Sequence, residues 1–64
     1  MCEATAYFMG DNGQEELLLA DVDVIEPEAD GQVRLVSIYG EQKVVKGRIK
    51  SMSLVNHRVV LSAH

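Results

Sequence analysis

Turn-forming residues recur along this chain at intervals that leave little room for a helix of ordinary length. The strongest signals lie at 11–13 (DNG) and 30–31 (DG), because Asn and Gly accept the positive φ that tight turns require. Weaker signals lie at 39–41 (YGE) and 55–57 (VNH), where we expect Asn56 to adopt the left-handed conformation. The runs between these turns are short and rich in β-branched residues, which favours strands over helices.

The turns divide the sequence into candidate strands at 3–9, 15–19, 21–26, 33–38, 43–54 and 57–61. Pro27 should end the third strand or mark a sheet edge, and Gly47 should bend the long fifth one. Only 14–20 carries good helix formers, and it is too short to form a helix by itself. We therefore predict an all-β fold, a small antiparallel SH3-like or Sm-like barrel of five or six strands, because closure removes exposed strand edges.

A chain of 64 residues builds a hydrophobic core that only marginally stabilises a fold, so we expect a single domain at 1–64 with some further support. Its hydrophobic content of 47% is typical of a folded chain rather than a disordered one. Cys2 is the single cysteine, so the chain has no second thiol with which to form an internal disulfide. The remaining means of support are a bound metal and a partner subunit.

The first residues lack the basic segment and the unbroken apolar segment of a secretory signal, so we expect a cytoplasmic protein. A lone unpaired thiol is compatible with that reducing compartment. No apolar run approaches the roughly 18 to 20 residues that a membrane span requires, and we expect no insertion into a membrane.

Ten acidic and six basic side chains give a formal net charge of −4, which opposes binding to a phosphate backbone. The basic residues nevertheless concentrate in the second half of the chain, where Lys43, Lys46, Arg48 and Lys50 are closely spaced. The last three alternate along one predicted strand and should share a face. That face is either solvated surface or, as an alternative function, the surface of an RNA-binding or regulatory barrel, and the net charge makes nucleic acid the weaker expectation.

No arrangement typical of an active site is present. The glycines are scattered singly over turns, and neither a paired-cysteine nor a Cys-His zinc spacing occurs. A nucleophilic pair would need Cys2 beside His57 in space, and we predict that the protein is not an enzyme. His57 in a turn and His64 at the chain end are expected to be solvated, with a ligand role for either left open. Met9 and Met52 are expected to fill the core.

The position of Cys2 indicates a metal site. Its thiolate lies within a few bonds of the terminal amine and the first backbone amides, so one short segment can offer sulfur and nitrogen in five-membered chelate rings. If Met1 is removed, the amine belongs to Cys2, and if Met1 is kept, its amine and the Cys2 amide can serve instead. Mixed thiolate and nitrogen ligation in a flat array suits Ni(II) or Cu(II) better than tetrahedral zinc. The alternative is an incidental cysteine near the chain start.

Several segments together resemble the CooT family of small nickel-binding accessory proteins. The likeness runs over nearly the whole chain and is carried by the start MCEA, the acidic strand DVDVIEPE, the segment VRLVSIYGEQKVVKGRIKSMSL and the closing VNHRVVL. Cys2 is the element among them with direct chemical meaning.

The resemblance implies a homodimeric small β-barrel protein that binds one Ni(II) per dimer through the two Cys2 thiolates. It also implies a role in nickel supply for carbon monoxide dehydrogenase maturation, although the recipient enzyme is not carried over. Some members of the family have been labelled predicted RNA-binding proteins because of their barrel shape. We take Cys2, Met1 and Glu3 as the candidate metal ligands, and a two-fold dimer would bring two such sets together as an S₂N₂ site.

Overall fold

The computed structural model describes residues 3–63, and all the regular structure in this range is β-strand except for one short 3-10 turn at Ala29–Gly31. The strands are β1 Ala4–Met9, β2 Glu15–Glu28, β3 Gln32–Ser37, β4 Gln42–Lys46, β5 Arg48–Ser53 and β6 Arg58–Ser62. The predicted all-β class is therefore confirmed, with six strands. No helix among the described residues is long and apolar enough to cross a membrane.

The six strands form one sheet in the order β4-β3-β2-β1-β6-β5, with β4 and β5 at its two edges. The sheet curls over a core but does not close into a barrel. The predicted pairing was antiparallel, and β1 and β6 depart from it because they run parallel. These two strands are joined through all of β2–β5 rather than by a hairpin, so no turn imposes an antiparallel direction on them.

β2 is one long bent strand where the sequence predicted two. Its first half pairs with β1 and its second half with β3. The bend lies at Asp21, which has a φ of 55°, beside a register shift between Val22 and Val24. Pro27 lies within the strand, beyond the part that pairs with β1, so its missing N–H faces no neighbouring strand on that side.

The predicted long strand at 43–54 is divided at Gly47 into β4 and β5. Gly47 has a φ of 154°, and its N–H donates to the Gly31 carbonyl oxygen at 2.9 Å. Lys46 therefore lies on β4 while Arg48 and Lys50 lie on β5, so the prediction that the three share one strand is wrong.

Two further expectations fail in the closing hairpin. The left-handed residue of the last turn is His57, with a φ of 53°, rather than Asn56. Met52 is 51% exposed, so it does not fill the core, while Met9 is half-buried.

The core lies within the curl of the sheet and draws on four of the six strands. Leu35 of β3 and Leu61 of β6 are fully buried at its centre. The other members of this buried cluster are Ala6, Leu19, Val22, Val33 and Val59. On the outer face, Arg34 donates to Glu26 and to Glu28, and these hydrogen bonds raise the pKa of Arg34 above its ordinary value.

Candidate metal centre at the start of β1

The candidate ligands Met1 and Cys2 lie outside the described residues, and Glu3 is the first residue that the structure describes. Its Oε2 atom is buried and has no hydrogen-bond partner among residues 3–63. A buried carboxylate oxygen without a partner is costly, so this position favours a cation or a donor close by. Of the three candidate ligands, Glu3 is the one within residues 3–63, and its buried oxygen would be stabilised by a positive charge nearby.

The start of β1 is held on both sides by neighbouring strands. Ala4 pairs with Val22 of β2, Thr5 pairs with Arg58 of β6, and the Thr5 N–H donates to the His57 carbonyl oxygen at 2.8 Å. The backbone at the start of β1 is therefore fixed between β2 and β6.

A groove of about 370 Å³ opens at the same end, between the second half of β2 and the β5–β6 turn. Ala4 and the buried Val22 and Val59 contribute to its lining. The remaining lining residues come from β2 and the closing hairpin: Asp23, Ile25, Met52, Ser53, Leu54, His57 and Arg58. An apolar groove therefore lies directly beside the start of β1.

His57 lines this groove and is exposed, as its predicted turn position implies, whereas His64 lies outside the described residues. Within residues 3–63, no three His, Cys, Asp or Glu side chains cluster closely enough to hold a metal ion. Of the described side chains that can ligate, Glu3 lies just before β1, while His57 and Asp23 line the adjacent groove.

The family model described as CO dehydrogenase accessory protein CooT matches residues 1–62. The chain belongs to the CooT family. It is also similar to the crystal structure of a protein assigned as CooT from Carboxydothermus hydrogenoformans, with 40% sequence identity, 98% of each chain covered and a TM-score of 0.87. No curated protein matches it. The resemblance seen in the sequence is thereby confirmed, and the accessory role belongs to the family.

The four closely spaced basic residues lie on or beside the edges of the sheet in this CooT fold. The Lys43 Nζ donates to the Leu18 carbonyl oxygen at 2.9 Å. Lys46 on β4 and Arg48 and Lys50 on β5 are exposed on the two edge strands. Charged side chains on an edge discourage pairing with another sheet, which accounts for these positions without an RNA ligand.

Arg58 of β6 is one of the residues that line the groove. Its guanidinium pairs with Glu15 and lies over the Tyr7 ring, 4.5 Å from the ring centroid. These contacts tie β6 to β1 and to the first residue of β2.

Sequence reasoning found the chain start but missed the groove. The signal that could have revealed it is the pair Leu54-Val55 directly before Asn56, because two large apolar residues are unusual at the tip of a turn. They are 81% and 88% exposed.

Proposed function

We propose that this chain is a nickel(II)-binding accessory protein that acts as a homodimer and supplies nickel during maturation of a carbon monoxide dehydrogenase-type enzyme. The observation that carries the proposal is the family match, which begins at residue 1 and so includes Cys2. Carbon monoxide dehydrogenase is a nickel enzyme, which makes nickel the fitting cargo for its accessory protein.

The proposed ligands are the Cys2 thiolate and the nitrogens of the chain start, namely the Met1 amine with the Cys2 amide, or the Cys2 amine if Met1 is removed. Two chains would supply two sulfurs and two nitrogens, a set that suits square-planar Ni(II). The buried Oε2 of Glu3 supports a cation at this place. Glu3 then serves either as a further ligand or as a negative charge beside the ion.

Replacement of the thiolate tests the proposal. Cys2→Ser should abolish tight Ni(II) binding and the sulfur-to-nickel charge-transfer absorption, measured by calorimetry and absorption spectroscopy. His57→Ala and His64→Ala are the matched controls and should leave both largely intact, while Glu3→Gln should weaken binding without removing the absorption band. Wild-type nickel affinity in Cys2→Ser would end the proposal.

The same ligands require a pH dependence. The thiol and the α-amine have reference pKa values of about 8.5 and about 7.7 to 8.0, and each must lose its proton when it binds the metal. Below those values, each released proton should lower the apparent affinity about tenfold per pH unit, so binding weakens as the pH falls below neutrality. A short N-terminal extension that keeps Cys2 should impair binding if the amine is a ligand and matter little if only thiolates and amides coordinate.

A further inference from the structure

The two edge strands of the sheet differ in how well they could accept a further strand. β5 has a register shift between Ile49 and Ser51, and such a bulge twists an edge away from partners. β4 has no shift, because Gln42–Lys46 pair with β3 in one unbroken register. β4 is therefore the regular edge of this sheet.

Hydrogen bonds at the two ends of β4 show which of its backbone groups face outward. The Gly47 N–H donates to the Gly31 carbonyl oxygen at 2.9 Å, and the Ser37 N–H donates to the Glu41 carbonyl oxygen at 2.8 Å. Both pairs continue the β3–β4 register. Bonded and non-bonded pairs alternate along an antiparallel ladder, so the odd-numbered residues of β4 bond to β3 and the even-numbered residues turn away from it.

The outer side of β4 thus presents the N–H and C=O groups of Gln42, Val44 and Lys46. All three residues are exposed, and among residues 3–63 no strand pairs with this side. A row of backbone donors and acceptors on a regular edge is the surface to which an extended peptide binds by strand addition.

The side chains of β4 indicate the charge of such a peptide. The strand reads QKVVK, with two lysines and no acid, in a chain whose net charge is −4. Lys43 and Lys46 differ by three positions, so they lie on opposite faces of the sheet. The Lys43 Nζ donates to a backbone carbonyl oxygen, and within residues 3–63 neither lysine forms a salt bridge with a carboxylate. Between them, Val44 is 53% exposed.

We propose that the outer edge of β4 binds an extended acidic segment of another protein, which adds to the sheet as a further strand. Its acidic side chains lie opposite Lys43 and Lys46, and its apolar side chains lie opposite Val44 and Val45. Opposite charges across neighbouring strands stabilise pairing, and like charges oppose it. The lysines therefore select an acidic strand over the β4 edge of a second copy, which would bring more lysines and no acid. The inference uses no residue of the proposed metal site.

Amide hydrogen exchange, followed by NMR, tests the backbone contact. The probe is a capped six-residue peptide with two central valines, a glutamate on each side of them and a threonine at each end. In the free protein, the amides of residues 42, 44 and 46 should exchange faster than those of 43 and 45, which bond to β3. A saturating amount of peptide should slow exchange at 42, 44 and 46 about tenfold or more. No slowing there, or slow exchange at these amides without peptide, would overturn the inference.

Exchanging charges tests the selection of an acidic strand. The same peptide with lysines in place of the glutamates should bind about tenfold more weakly in an NMR titration. Lys46→Glu should remove most of that preference, whereas Lys50→Glu, on the bulged edge strand β5, is the matched control and should keep it. Equal affinities of the wild-type protein for the two peptides, or equal effects of the two substitutions, would refute the proposed role of the β4 lysines.

A pair of proline substitutions tests the orientation of the backbone. Val44→Pro removes an outward N–H, and proline is tolerated on an edge strand where the N–H faces solvent. This variant should stay folded by circular dichroism and bind Ni(II) like the wild-type protein, but it should lose about tenfold or more in peptide affinity. Val45→Pro removes an N–H that bonds to β3 and should destabilise the fold. Unchanged peptide binding in Val44→Pro, or unfolding of both variants alike, would contradict the inference.

Discussion

The two ends of the β5–β6 pair differ in how tightly they pack. At the end where β5 begins and β6 closes, Gly47 lies so near Ser62 that an added Cβ would collide with the Ser62 carbonyl oxygen and touch the Phe8 ring. At the other end, Leu54 and Val55 project into solvent beside an open groove. One end of this pair of strands is thus tightly packed, whereas apolar side chains are exposed at the other end.

Comparison with the β1–β2 turn shows that the apolar tip is not needed to make a turn. In that turn Asn12 accepts a hydrogen bond from the Gln14 N–H at 3.1 Å, and in the β5–β6 turn Ser53 accepts one from the Asn56 N–H at 3.1 Å. Both turns are capped by a polar side chain, yet the first is polar at its tip. Leu54 and Val55 are therefore not required to form the turn, which points to a role in contact with another surface.

The largest expected loss of stability comes from a substitution at the tightly packed end of the β5–β6 pair. Gly47→Ala should destabilise the protein by at least about 3 kcal/mol, because it adds a collision with backbone to a φ of 154° that side chains rarely adopt. Gly40→Ala is the control, since its φ is 86° but no atom lies within 4 Å of the added Cβ. It should cost only about 1 to 2 kcal/mol for the left-handed backbone. Equal losses in urea unfolding would show that the Ser62 contact is unimportant.

A pair of identical truncations sharpens the contrast between the ends. Leu61→Ala should cost about 3 kcal/mol, because Leu61 is fully buried against the core and its removal leaves a cavity. Leu54→Ala should change the unfolding free energy of the monomer by less than about 0.5 kcal/mol. Urea unfolding at two protein concentrations separates the monomer's stability from any contribution of association. A large loss for dilute Leu54→Ala would mean that the tip belongs to the core.

Local signals predicted most of the strands, and long-range contacts account for most of the errors. The turns at 11–13 and 30–31 and the break at Gly47 follow from glycine and asparagine chemistry, which acts within a few residues. The parallel pairing of β1 with β6 joins residues over fifty positions apart, and no turn encodes it. β2 continues through Asp21 because it pairs with two different strands, β1 and β3. The alternation of apolar and polar residues within one segment does not reveal such pairing.

The candidate site divides in the same way. Cys2 and Glu3 could be named from position and from the family resemblance, because a terminal thiolate beside backbone nitrogens is local chemistry. The groove could not be predicted, since it exists only where β2 and the last hairpin leave the curl of the sheet open. Met52 is an example. Its place in a strand predicted that it fills the core, but the side chain lies at the open end of the β5–β6 pair and is half exposed.

The smallest expected effect concerns Arg58, which links β6 to β1 and β2. Glu15→Gln removes the charge that pairs with the guanidinium and leaves the Tyr7 ring under it. Both side chains of the ion pair are partly exposed, at 41% for Arg58 and 31% for Glu15, so solvent screening should limit the loss to about 0.2 to 1 kcal/mol. The loss should shrink further as salt is raised from about 0.05 to 0.5 M, because exposed charges are screened over a shorter distance. Tyr7→Leu keeps the ion pair and removes the ring, and it should show a loss that salt changes much less. A salt-independent loss in Glu15→Gln would mean that Glu15 acts through packing rather than charge.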